Sequence, residues 1–224
     1  MSRVDLSGRA GRGSQLQTQL YVNEQVDTLN ERLRAEFPEL RDARIEWASP
    51  LRSDRYREYK DRSSLTALGL EQYGPQLGQF WPRGGPVWDA LAAVDTNGSR
   101  GVILAEGKSY PSELYGSGCK ASPESRKRIE TALGLTQAWL GVPLEPAAWC
   151  GRLYQTANRL AALYFFREVC EVDAWLVHLL FEGDPHRPTP AGEWEVAMRA
   201  AGEELGLPED VPGAGHVVLP AFSI

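Results

Sequence analysis

The stretch from Val87 to Lys108, VWDALAAVDTNGSRGVILAEGK, sets three ionisable side chains, Asp89, Glu106 and Lys108, into two otherwise apolar runs. Asn97-Gly98 between the runs is a strong β-hairpin signal, because both positions accept positive φ. A two-residue loop pairs Thr96 with Ser99, and each pair outward keeps the same sum, so Asp89 is expected opposite Glu106. Facing residues on antiparallel strands hold their Cβ atoms about 4.5–5.5 Å apart on one side of the sheet. Lys108 lies two residues beyond Glu106 and shares that face. Two carboxylates this close repel in a low-dielectric setting unless a cation sits between them. Mg²⁺ suits the position: it takes one or two carboxylates, keeps several waters and leaves room for phosphate oxygens. An amine beside it can orient or help deprotonate an attacking water, or stabilise charge on a pentavalent phosphorus. These parts suit phosphodiester hydrolysis.

A plainer arrangement of the same residues is a salt bridge, with Glu106 and Lys108 paired at the solvent-facing end of a strand and Asp89 at the start of the other. Burial argues against it. Trp88, Ala90, Ala92 and Val94 are expected on one side of the hairpin and Val87, Leu91 and Ala93 on the other, so both faces read as covered. Charges on a covered sheet need partners or a metal. The triplet by itself is weak, since ExK arises by chance about once per few hundred residues at average usage. Glu58-Tyr59-Lys60 is a second copy, in a charge-rich segment with no apolar strand before it and no hairpin partner. A further polar group lies in GRLYQTANRLAALYFF, where Gln155, Asn158 and Arg159 fall at i, i+3 and i+4 and so share one helix face. One turn on, that stripe becomes Ala162 and Phe166. The patch reads either as phosphate or water positioning, or as helix capping and tertiary hydrogen bonds.

The surrounding elements follow from pattern. Ser14 to Phe37 reads as one helix, with Val22, Val26, Leu29 and Leu33 in a single apolar stripe ended by Phe37-Pro38. RIEWASPL, Arg44 to Leu51, reads as a short strand, and RSDRYREYKDR as a solvated loop or short helix. One or two short helices are expected before Pro86. Ser122-Pro123-Glu124 is a helix start with Ser as N-cap and Pro at the first position, and Gly141 is its stop. A second helix is expected over roughly Ala148 to Val169. VDAWLVHLLF, Val172 to Phe181, is a continuous apolar run of central-strand type. TPAGEWEVAMRAAGEELG gives a last helix and GHVVLPAF a final strand. The order implies an α/β chain around one mixed sheet flanked by helices. Residues 1–13, rich in Arg, Gly and Ser, read as a flexible arm and 14–224 as a single domain.

Asp89, a hairpin, and Glu106-Gly107-Lys108 at the end of an apolar strand resemble the D…(D/E)xK signature of the PD-(D/E)xK nuclease superfamily, the restriction-endonuclease-like group. Its αβββαβ core is similar to the order read above over roughly Ser14 to Phe181, with extra helices here. The resemblance implies Asp89 and Glu106 as metal ligands, the Gly107 carbonyl as a further ligand and Lys108 as the catalytic lysine. It implies Mg²⁺ as cofactor with Mn²⁺ as a substitute, nucleic acid as substrate with DNA foremost, and a homodimer as one assembly to expect. The proline that often precedes the aspartate is replaced by Trp88. The acidic residue that the family often carries on its first helix has two candidates, Glu24 and Asp27. Gln155 stands where a Gln lies in the RecB-like branch, but Arg159 occupies the place of that branch's Tyr. The alternative implied by the same likeness is a catalytically inert nuclease-fold protein that acts as a protein-binding or regulatory subunit.

Composition narrows the field. The formal net charge is −6, which counts against a broad nucleic-acid footprint and leaves room for a narrow one served by bound metal and a local basic patch. Cys119, Cys150 and Cys170 form no CxxC pair, and His178, His186 and His216 are scattered, so neither a disulfide framework nor a histidine-based metal site is expected. No stretch reaches the ~18 apolar residues that cross a bilayer. The N-terminus lacks the apolar centre of a signal peptide, so a cytoplasmic protein with no membrane partner is expected. GSG at 116–118 makes no nucleophile elbow, and no phosphate-binding GxxxxGK[ST] is present. A glycosidase pair at Asp89 and Glu106 fits poorly with the adjacent lysine.

Overall fold

The computed structural model describes residues 5–96 and 98–223. Its strands in chain order are β1 (Arg44–Ser49), β2 (Tyr59–Lys60), β3 (Val87–Trp88), β4 (Ala90–Thr96), β5 (Ser99–Lys108), β6 (Asp173–Glu182) and β7 (Ala214–Pro220). Five of them form one mixed sheet in the order β1-β4-β5-β6-β7. β4 runs antiparallel to both its neighbours, β1 and β5, while β6 and β7 run parallel to β5. β2 and β3 make a separate antiparallel pair. The chain is thus α/β, with helices on both faces of the sheet.

One face carries α1 (Gly13–Glu24) and α2 (Val26–Glu36). The single helix expected over 14–37 is broken at Gln25, whose backbone leaves the α region at φ −134°, ψ 34°. The break has a tertiary cause. α1 is covered on most of its circumference, burying Leu16 through Val22, polar residues included. Gln17 bonds both the N–H and the carbonyl of Phe222, and the Tyr21 hydroxyl donates to the Pro220 carbonyl, so α1 is wedged between the sheet and the C-terminal residues. The change of direction lets α1 rest on β5 and β6 while α2 rests on β7. Leu29 and Leu33 of α2 pack with Ala90, Ala92, Ile103, Val177 and Leu179.

The opposite face carries α5 (Pro123–Leu140), α6 (Pro146–Trp149), α7 (Tyr154–Tyr164) and α8 (Ala191–Leu205), preceded in the chain by α3 (Asp61–Ala67) and α4 (Gly74–Phe80). α5 starts at the Ser122 cap, whose Oγ accepts from the Ser125 N–H, and stops at Gly141 in the left-handed region, as the sequence predicts. The helix expected over 148–169 is in fact α6, a turn, α7 and a π-helical turn over Phe165–Val169. Leu91, Val102, Leu104 and Leu176 of the sheet pack here with Leu133, Ala157, Leu160 and Phe165.

The β4–β5 register runs from Thr96↔Ser99 to Ala90↔Ala105, as the two-residue loop requires. Asn97 lies outside the described residues; its neighbour Gly98 has φ +93° and donates its N–H to Asp95 Oδ1 at 3.0 Å. Trp88 does not share the side of Ala90 and Ala92. It packs with Leu91 and Leu104 on the α7 side, because Asp89 forms a bend that breaks the alternation and sends β3 to pair with β2. The segment expected as a solvated loop or short helix contains a 3-10 turn over Arg52–Asp54 and then strand β2. Of the expected arm, residues 1–4 lie outside the described residues, and Ala10 is buried with its N–H on Gln19 Oε1. Among the described residues no helix is long and apolar enough to cross a membrane.

Candidate active site

The β4–β5 register ends at Ala90↔Ala105, and Asp89, at the bend just beyond it, lies near enough to Glu106 to feel its charge. The Asp89 carboxylate accepts the Gly107 N–H at 2.8 Å. Glu106 and Lys108 stand on the same face as Val102 and Leu104, beneath α7, and are only 5% and 7% exposed. Lys108 Nζ donates to Glu106 Oε1 at 2.7 Å. The other carboxylate oxygen, Oε2, accepts from Arg159 Nε at 2.9 Å and Nη2 at 2.6 Å. Arg159 also donates to the Val87 carbonyl and to Asn158 Oδ1, and its guanidinium lies 5.0 Å over the Trp88 ring. Gln155 is exposed at the mouth, with its Oε1 at 3.5 Å from Lys108 Nζ. All of Asp89, Glu106, Gly107, Lys108, Gln155, Asn158 and Arg159 come together in one place. Glu106 and Lys108 do form an ion pair, but inside the protein rather than at a solvent-facing strand end.

The electrostatics divide the two acids. Burial opposes ionisation of Glu106, but Arg159 and then Lys108 outweigh it and hold its carboxyl well below the usual range. Asp89 goes the other way. Burial of its carboxyl group and the Glu106 charge push it well above that range, against the pull of Lys108 and the Gly107 N–H. Glu106 already has two cations and Asp89 is left with the uncompensated repulsion. This is the divergence expected when two carboxylates share one site.

A third acid joins them. The β2–β3 register pairs Tyr59 with Trp88, so one step on puts Glu58 beside Asp89. Glu58 accepts from Gln15 Nε2 of α1 at 2.8 Å, and its carboxyl is pushed up by burial and by Glu106. The triplet set aside as chance thus sends its acid to the site. Glu24, by contrast, is exposed and paired with Arg52, and Asp27 is exposed on α2; neither joins the group. The first helix contributes Gln15 and also Thr18, against which Gly107 packs so closely that a Cβ there would overlap Thr18 Oγ1. Beyond Glu106, parallel pairing places His178 alongside it, buried and pushed down to about 4 by desolvation. One level of the structure therefore carries Glu58, Asp89, Glu106 and His178 in a row across four strand positions.

The donor set suits a hard divalent ion. Asp89 keeps one oxygen without a protein partner among the described residues, and Asp89 and Glu58 both carry raised carboxyls that a cation would relieve. As the side chains stand, no three Asp, Glu, His or Cys among the described residues are already gathered as a metal cage. Glu106 would have to exchange one cationic partner for the ion. Compared with known proteins, the chain matches no family model, and no curated protein or solved structure resembles it at a significant level.

Proposed function

We propose that this chain is a Mg²⁺-dependent phosphodiesterase of the PD-(D/E)xK nuclease type, acting on nucleic acid and foremost on DNA, in the cytoplasm. The observation that carries the reading is the approach of Asp89, held by the Gly107 N–H, to the buried Glu106–Lys108 pair at the level where α7 delivers Arg159 and Gln155. In this reading α2, β1, β4, β5, α7 and β6 supply the αβββαβ core, and β7, α5 and α8 are additions. Asp89, Glu106 and the Gly107 carbonyl would hold Mg²⁺ (or Mn²⁺), which polarises the phosphodiester and acidifies the attacking water.

The chain's own residues do the rest. Lys108, fixed between Glu106 and Gln155, presents its amine where an attacking water is to be oriented. Gln155, open to solvent, offers its amide to a phosphate oxygen at the mouth. Arg159 anchors Glu106 and bridges it to the Val87 carbonyl, keeping the hairpin and α7 in register across the site. A protein-binding subunit on the same fold, without catalysis, is the second reading. It is favoured by one observation, that both Glu106 oxygens are taken by protein cations.

Titration of the protein with Mn²⁺ by calorimetry, beside Asp89→Ala, separates the two. Binding that Asp89→Ala removes, with Mg²⁺-dependent cleavage of DNA that Lys108→Ala abolishes while sparing Mn²⁺ binding, supports the enzyme. Absence of Asp89-dependent binding, or equal cleavage by Lys108→Ala and wild type, overturns it.

A further inference from the structure

The row of ionisable side chains continues past the candidate active site. Parallel pairing sets His178 of β6 beside His216 of β7, as it sets Glu106 beside His178. Both imidazoles line a cavity of about 490 Å³ on the α7–α8 side of the sheet, together with Leu160, Leu176, Glu195 and Met198. α7 divides this cavity from the acids. Gln155 and Arg159 turn toward Lys108 and Glu106, while Thr156 and Leu160 line the cavity.

His178 is the unusual member. It is 6% exposed and makes no hydrogen bond to another described residue, and its ring opens onto the cavity, where a ligand can reach it. A neutral imidazole offers a lone pair to a metal. His216 Nε2 lies 3.4 Å from Glu195 Oε1 of α8, and the Glu195 side chain is largely exposed and free to turn. Neighbouring strands lie about 4.8 Å apart, so two imidazoles at one level can reach a shared ion at the ~2.0–2.1 Å that Zn–N bonds need.

We propose that His178, His216 and Glu195 form a second cation site, selective for a zinc-class divalent ion and separate from the carboxylate site. Two imidazoles and one carboxylate are a zinc donor set, and imidazole favours Zn²⁺, Cu²⁺ or Ni²⁺ over Mg²⁺. The ion replaces the contact between His216 and Glu195 and gives His178 the partner it lacks; Glu195 turns inward to complete the set. The cavity leaves the remaining coordination position open to water. None of the three ligands is among the residues assigned to Mg²⁺, although His178 stands beside Glu106 in the sheet.

The test is Zn²⁺ titration against a chromophoric chelator, on metal-stripped protein with millimolar Mg²⁺ present. One equivalent should bind wild type. His216→Asn and Glu195→Gln, both at solvent-accessible positions, should each weaken binding about 10–100-fold, and Asp89→Ala should not. Co²⁺ in place of Zn²⁺ should give visible absorption that His216→Asn abolishes. Zinc affinity unchanged by His216→Asn, zinc binding lost in Asp89→Ala instead, or no binding to wild type would each overturn the proposal.

Discussion

Arg159 reaches from α7 to hold Glu106 Oε2 with two donors, Nε at 2.9 Å and Nη2 at 2.6 Å, in a pair almost wholly withdrawn from water. Removing one partner of such a pair strands the other charge, at about 3–5 kcal/mol. Arg159→Leu should therefore lower the urea-unfolding free energy by that order. Adding Glu106→Gln in the same chain should recover part of the loss. A strictly additive double mutant would mean that the two side chains do not interact as described.

Glu58 stands beside Asp89 by register and adds to the repulsion that raises the Asp89 carboxyl. Glu58→Gln should let Asp89 titrate closer to its ordinary range, readable by carboxyl NMR. It should also weaken Mn²⁺ binding about 10-fold, as loss of a supporting group does. Unchanged Asp89 titration would place Glu58 outside its influence.

Gly107 has no room for a side chain. A Cβ would overlap Thr18 Oγ1 and press on Phe181 at 3.3 Å and on the Ser14 carbonyl at 3.4 Å. Gly107→Ala should cost about 1–3 kcal/mol, the usual penalty of overpacking. Thr18→Ala combined with it should restore some of that stability in thermal melts, whereas the carbonyl contact keeps the rescue partial.

His178 gives a pH dependence of definite sign. Its folded value is pushed down to about 4 from an ordinary 6.5, so between those values only the unfolded chain takes the proton. Stability contributed by the neutral ring is complete above 6.5 and is lost as pH falls toward 4, by up to about 3 kcal/mol. In metal-free protein His178→Gln should flatten the decline in unfolding free energy between pH 7 and 4.5. Glu106 adds its own loss lower down, below the ordinary carboxylate range, and Asp89 acts in the opposite direction, so the comparison with the variant isolates the histidine.

Local rules carried much of this site. A two-residue loop fixes the sum of paired residue numbers, so the register could be read directly as far as Ala90 and Ala105, one step short of Asp89 and Glu106. The i, i+3, i+4 spacing of Gln155, Asn158 and Arg159 likewise declared a common face, and Ser122-Pro123 with Gly141 declared the ends of α5. What escaped was tertiary. The apolar stripe runs unbroken through Gln25, and only the wedging of α1 against residues 220–222 explains the break. The bend at Asp89 reverses Trp88, which alternation alone placed on the wrong side. Glu58 lies far from Asp89 in sequence, and a pairing of two residues per strand leaves no pattern to find. An apolar run identified β6 but not its neighbours, so nothing in the sequence set His178 between Glu106 and His216.

β2 and β3 close the base of the excursion from Asp61 to Pro86, which holds α3 and α4, and the closure sits at the root of the acid row. Leu65, Leu68, Leu70 and Trp81 of that excursion are buried in the same core as Leu91, Val102 and Leu104 of the sheet. The clasp therefore ties the place of Asp89 to the helical layer as well as to the strands, and loosening α3 or α4 would reach the acids through it.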